Sequence, residues 1–292
     1  MKCSICPRNC GADRENTLGA CGTKNVIKVA RAAPHMWEEP PLSGTDGSGT
    51  VFFSGCNLGC VYCQNYQVSH EAFGKEVSAM QLMKIFDSML KKGVHNLNLV
   101  TPTHYAPMLA KVLKEYNSPV PVIYNSSGYE KPETLKMLEG LVDIYLPDIK
   151  YFDSAPALKY SGAADYFEYA SEAVLEMHRQ VGELKINENG IAEKGLIIRH
   201  MVLPGNISQT VKIFEWVSRN LSTETYISVM RQYTPFGKAK EMPPIDRKLS
   251  SKEYSIVKQK ILALGFENCF FQSGEAATES FIPNFNLEGV DL

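Results

Sequence analysis

The chain has 292 residues, of which 44% are apolar and 21% charged, and a net charge of -2. This length suits one large α/β domain or a domain with a small module attached, and the near-neutral charge offers no electrostatic basis for binding nucleic acid. No apolar run approaches a membrane span and the N-terminal MKCSICPRNC lacks the apolar core of a signal peptide, so no membrane association and a cytoplasmic location are expected.

Seven of the eight cysteines fall in the first 63 residues. Thiols grouped in this way in a reducing compartment point to metal ligation rather than to disulfides. Residues 1–48 read as a small, turn-rich module and connector ending in EEPPLSGTDGSG, whose paired prolines and glycines oppose regular structure. Within it, Cys3, Cys6, Cys10 and Cys21 form Cys-x2-Cys-x3-Cys-x10-Cys. Four thiolates complete a tetrahedral site, and so short a segment has too little core to fold without one. A second metal centre is therefore expected here, either zinc or an auxiliary [4Fe–4S] cluster, since spacing does not separate the two. His35, Trp37 and Glu38, in PHMWEEPP, either reach the active mouth from the connecting loop or, the favoured expectation, pack the connector against the main domain.

From residue 49 to 292 short apolar runs alternate with amphipathic segments, the pattern of a parallel sheet with helical crossovers. The predicted strands are TVFFSG, NLNLVTP, VPVIYNSSG, VDIYLPDIK, LIIRHMVLPG, YISVMRQYTP and CFFQSG. The helices between them are AMQLMKIFDSMLKKG, PMLAKVLKEY, PETLKMLEGL, FEYASEAVLEMHRQVG, TVKIFEWVSRNL and SKEYSIVKQKILALG. ELKINENGIAEKG interrupts the rhythm as a short hairpin before the fifth strand. Six or seven βα units fall short of the eight that close a barrel, so a partial, open-sided (βα)6-type TIM barrel is predicted. Polar strand endings converge at the carboxyl mouth of such a fold. His104 and His200 are expected to face that mouth, Gln272 and Glu275 either to line it or to cap the sheet, and Cys269 to be a buried hydrophobe.

The first barrel strand runs into GCNLGCVYCQN, where Cys56, Cys60 and Cys63 are compressed into eight residues. Structural zinc sites and ordinary iron–sulfur clusters take four protein ligands. Three thiolates leave one position open to a substrate or cofactor; the alternative is zinc with a distant fourth ligand, Cys269 or a histidine, in a binding or scaffold protein.

CNLGCVYC resembles the CxxxCxφC signature of radical S-adenosylmethionine (SAM) enzymes, with Tyr62 as the aromatic φ. The resemblance implies a [4Fe–4S] cluster on Cys56, Cys60 and Cys63, with SAM chelating the fourth iron and cleaved reductively to a 5′-deoxyadenosyl radical that abstracts hydrogen. CQN, ending in Asn65, is similar to the CHN of glycyl-radical-enzyme activases. YLPDIK resembles the DLK strand end of pyruvate formate-lyase activating enzyme, implying that Asp148 and Lys150 are catalytic and face the SAM methionine. IRHMVLPG resembles its RxxxxPG strand, implying that Arg199 and His200 are near the cofactor. Where activases carry GGEP, this chain has TPTH, which gives Thr101, Thr103 or His104 the contact to SAM. In YNSSG, Asn125 replaces an aspartate of the activase cation site and adjoins Ser126 and Ser127. From Cys3 to Pro283, with HMWEEP and TESFIP, the chain is similar to the pyruvate formate-lyase activating enzyme-like branch. That branch implies a partner glycyl radical enzyme, with action on a small molecule or a peptide as the alternative, and an electron donor such as flavodoxin or ferredoxin.

Overall fold

A computed structural model describes residues 2–272 and 283–291 of the chain. In chain order the elements begin with β1 (Lys28–His35), α1 (Pro40–Ser43), β2 (Ser48–Phe53), α2 (Tyr66–Ser69), β3 (Lys75–Glu76), α3 (Ala79–Lys91) and β4 (Leu97–Val100). They continue with α4 (Ala106–Tyr116), β5 (Val122–Ser126), α5 (Pro132–Lys136), β6 (Ile144–Pro147), α6 (Ser154–Ser161) and α7 (Tyr166–Val181). Last come β7 (Lys185–Ile186), β8 (Ala192–Met201), α8 (Ile207–Asn220), β9 (Tyr226–Met230), α9 (Ser251–Ala263) and β10 (Cys269–Phe271).

One sheet runs in the order β10-β9-β8-β6-β5-β4-β2-β1-β3, with β7 paired to β8. The strands from β2 to β10 along that path are parallel to their neighbours. Among the described residues no pairing joins β10 back to β1 or β3, so the barrel is partial and open on that side. β2, β4, β5 and β6 are buried at every position, which explains why they read as continuous apolar runs. Leu82, Ile85, Phe86 and Met89 form one face of α3 and pack with Val51, Phe53, Leu97 and Leu99. Serine caps set the starts of two helices. In α3, Ser78 accepts from the Gln81 N–H and the Gln81 side chain returns the bond; Ser250 and Glu253 do the same for α9.

The predicted alternation, the hairpin before β8 and the partial barrel are all present. Several details differ: EEPPLSGTDGSG, expected to be irregular, carries the one-turn helix α1, with proline tolerated in its first turn, and the start of β2. KVARAAPH, expected to be irregular, is β1, which pairs antiparallel with β2 over Val29–His35 and breaks register between Val29 and Arg31. PETLKMLEGL gives only the short α5 followed by turns, Gly140 adopting φ 75°. α6 was not anticipated, its SAPALKYS having little amphipathic pattern.

Residues 2–27, ahead of β1, dock on the barrel mouth through arginines. Arg8 donates to the carbonyls of Asn57 (2.8 Å), Leu58 (3.0 Å), Ser161 (2.6 Å) and Gly162, so one guanidinium ties the segment both to the three-cysteine loop and to the end of α6. Arg14, buried, donates to the carbonyls of His104 (2.7 Å) and Lys24 (2.7 Å). The Cys56 N–H donates to the Cys21 carbonyl at 3.1 Å. Replacing Arg8 by alanine leaves several carbonyls short of a donor. Arg8→Ala should lose about 2–3 kcal/mol of stability in urea denaturation and expose the first 27 residues to limited proteolysis; Arg8→Lys, lacking the planar fork, should recover only part of both.

Candidate active site

The polar ends of the parallel strands enclose one cavity of about 630 Å3. Cys56, Cys60 and Cys63 line it directly after β2, and Asp148, Lys150 and Arg199 face them from the ends of β6 and β8. Each thiol has a hydrogen-bond donor. Leu58 N–H points at Cys56 Sγ (3.4 Å), the Ser161 hydroxyl at Cys60 Sγ (3.0 Å), and the Asn65 N–H and Ser69 hydroxyl at Cys63. Ser161 is held in turn by Tyr151 (2.7 Å), which bonds Tyr62 (2.7 Å). The aromatic residue of the motif thus stands behind the loop, packed against Tyr160 and Tyr233.

Burial pushes the Cys63 thiol up to about 12 and raises Cys56, with the neighbouring thiols adding to the effect. Thiolates persist in such a place only beside compensating positive charge, which iron supplies. Among the described residues no other cysteine lines the cavity, and its one histidine, His35, belongs to the connector at the opposite end. Among the described residues, too, no three His, Cys, Asp or Glu are grouped so as to hold a single metal ion. A cluster differs in binding one thiolate per iron, so its ligands need not converge on a point. Three donor-supported thiols at an open-sided cavity therefore fit a [4Fe–4S] cluster with one iron left to another ligand.

The opposite wall is charged. Arg199 donates through Nε to Asp148 (3.0 Å), through Nη1 to Glu38 (3.1 Å) and through Nη2 to Asn125 (2.6 Å), while Lys150 pairs with the second Asp148 oxygen (2.5 Å). Burial by itself would raise Asp148, yet Lys150 and Arg199 outweigh it and hold the carboxyl below the usual range. Burial likewise opposes the Lys150 charge, and Asp148 outweighs it, so the ammonium is kept. Between the two walls lie Thr101, Asn125, Ser126 and Ser127. Thr101 adopts φ 61°, an outlying conformation for a β-branched residue, and its N–H is held by the Asn125 carbonyl at 2.9 Å.

Of the residues predicted from sequence, Tyr62, Asn65, Thr101, Asn125, Ser126, Ser127, Asp148, Lys150 and Arg199 share this cavity with the three cysteines. Thr103, His104 and His200 do not. After Thr101 the chain turns through a short 3-10 segment, so that Thr103 bonds Glu130 (2.6 Å) and His104 bonds the Ser54 carbonyl (2.8 Å). His200, expected at the mouth, lies behind the sheet between the Ile149 carbonyl (2.5 Å) and Thr210 (2.8 Å). Burial lowers His200 to about 4 and His104 to about 3, so both are neutral structural groups at pH 7. His35, Trp37 and Glu38, for which packing of the connector is the favoured expectation, line the cavity, and Glu39 joins them. Gln272 accepts from the Arg231 and Gln232 N–H groups at the end of β9, both capping the sheet and lining the opening; Glu275 lies outside the described residues. In the N-terminal segment Cys10 is hydrogen-bonded by Cys3, and Cys6 is raised first by burial and then by charges that include Cys21 and Cys3.

Behind Ser126 sits Glu130, fully buried and held by the hydroxyls of Thr103, Ser126 and Tyr124. Burial raises it from 4.5 to about 7. The native state therefore binds this proton more tightly than the unfolded chain. Its contribution to stability is complete below the unfolded value of 4.5 and is lost as pH rises through 7. In urea denaturation from about pH 4 to about pH 8, wild type should lose up to about 3 kcal/mol relative to Glu130→Gln.

A family model for the Radical SAM superfamily matches residues 50–217, more than half of the chain. The chain is 32% identical to Uncharacterized protein MJ0674 of Methanocaldococcus jannaschii over 86% of its own length and 71% of that protein. It is 25% identical to Uncharacterized protein MJ0808 of the same organism, over 84% and 74% respectively. Among solved structures, Streptococcus suis SuiB bound to precursor peptide SuiA superposes with a TM-score of 0.51 at 14% identity. The match covers 77% of this chain and about half of SuiB, 48%, and shows a shared fold.

Proposed function

The chain belongs to the radical SAM superfamily, and on that premise we propose that it cleaves S-adenosylmethionine at a [4Fe–4S] cluster held by Cys56, Cys60 and Cys63 and uses the resulting radical to abstract hydrogen. The observation that carries the reading is three donor-supported thiols at a cavity whose lining, among the described residues, offers no fourth cysteine and no histidine beside them. When bound, the cluster and SAM supply one electron and a carbon-centred radical.

The chain's own part is binding and exclusion of water. Lys150, kept charged by Asp148, offers an ammonium to a carboxylate such as that of the SAM methionyl group. Asn125, Ser126, Ser127 and the constrained Thr101 provide hydrogen-bonding groups along the wall between the thiols and the charged residues. Phe52, Leu58, Val68 and Val100 supply apolar surface. Cys3, Cys6, Cys10 and Cys21 are proposed to hold a second metal centre, and a flavodoxin or ferredoxin to deliver the electron.

The resemblance to activases makes a glycine of a partner glycyl radical enzyme the first target. Direct action on a small molecule or on a peptide is favoured by one observation. The cavity continues past Asp148 to a floor lined by the carboxyls of Glu38 and Glu39, which a glycine has no side chain to use. A peptide substrate also agrees with SuiB, which shares the fold and binds a precursor peptide.

Anaerobic reconstitution with iron and sulfide, then dithionite and SAM, should release 5′-deoxyadenosine and methionine, and Cys56→Ala should reduce that release at least about 100-fold. A protein that takes up zinc alone and leaves SAM intact would overturn the reading. A glycyl radical signal in electron paramagnetic resonance after mixing with a candidate partner would select the first target; 5′-deoxyadenosine release with no such signal would select the second.

A further inference from the structure

The cavity ends on two consecutive carboxylates. β1 runs antiparallel to β2 and pairs His35 with Ser48, the first residue of β2. The segment after His35 therefore closes the barrel from the end opposite the Cys56–Cys63 loop, and Glu38 and Glu39 line the cavity from there. Glu38 is fully served, accepting from Asn98 (3.1 Å), Asn125 (3.4 Å) and Arg199 (3.1 Å). Glu39, only 8% exposed, is bonded by the Ser228 hydroxyl, while its second oxygen is buried without a donor.

Three carboxylates here, Glu38, Glu39 and Asp148, face two cations. The guanidinium of Arg199 is committed to Asp148, Glu38 and Asn125, and Lys150 to Asp148. No salt bridge reaches Glu39 among the described residues. The second oxygen of Glu39 is thus left without a donor, and the nearby Arg199 charge is bonded to other groups; an ammonium or guanidinium supplies a donor and a counter-charge at once.

We infer that Glu39, flanked by Glu38, forms a subsite for a positively charged organic group of the substrate, an ammonium or guanidinium received at the barrel floor. The inference rests on the reading of this cavity as the substrate site, and it narrows the second target to molecules or peptide side chains that end in such a cation.

Trp37 lines the same cavity, and the other tryptophan, Trp216, packs on Phe167 away from it. Trp216→Phe therefore isolates an optical reporter at the floor. In the full-length, reconstituted Trp216→Phe protein, titration with n-butylammonium should shift Trp37 emission and saturate, whereas neutral butyramide should not. Adding Glu39→Gln should weaken the amine at least about tenfold, while Glu39→Asp, which keeps a carboxyl, should weaken it less. A blocked Gly-Lys-Gly peptide that binds more tightly than the free amine would place the cation on a peptide; the reverse would place it on a small molecule. Equal saturation by Glu39→Gln or by butyramide, with folding of each variant checked by its urea midpoint, would overturn the subsite. Saturable amine binding by the reconstituted protein with all three loop cysteines intact, with no cleavage of SAM under dithionite, would refute the function proposed above and leave the subsite standing.

Discussion

One guanidinium organises the inside of this barrel. Arg199 reaches from β8 to Asp148 at the end of β6, to Asn125 on β5 and to Glu38 on the connector. Its side chain is 14% exposed, so these bonds form in a medium where leaving any partner unpaired costs far more than at the surface. The interior face of the sheet is accordingly polar at the positions that approach Arg199, while the outer face is apolar and covered by helices. The cavity is the space that this network keeps from collapsing into a filled barrel core.

The cysteine loop depends on a second, smaller arrangement. Arg8 secures the Asn57 and Leu58 carbonyls inside the loop, and Ser161, at the end of α6, approaches Cys60 while its carbonyl also receives Arg8. The N-terminal segment is thus a buttress for the loop as well as a cysteine-bearing module of its own. A segment of about 26 residues with few apolar contacts gains most of its order from this docking.

Much of this was legible in the sequence because parallel strands buried on both faces leave an unmistakable apolar run, and because the carboxyl ends of such strands converge. Those two facts place Cys56, Cys60, Cys63, Asp148, Lys150 and Arg199 around one mouth. His200 was misplaced although the signal to place it was present: neighbours in a strand point to opposite faces, so Arg199 inside puts His200 outside. Thr103 and His104 escaped because a 3-10 turn follows Thr101 and ends the strand's alternation. β1 escaped for a different reason. Its direction and its pairing with β2 come from tertiary contact, and a neighbouring EEPP suggests a loop. With β1 unrecognised, nothing in the sequence carried Glu38 and Glu39 to the barrel floor.

The bond from the Cys56 amide to the Cys21 carbonyl joins the two cysteine segments through main-chain atoms alone. Proline apart, no side-chain replacement at position 56 removes that donor, because every other residue type retains the N–H. The two segments therefore share a common fate: a nick or local melting in the first withdraws an acceptor from the second, and damage that begins at the chain's periphery is passed inward through its own backbone.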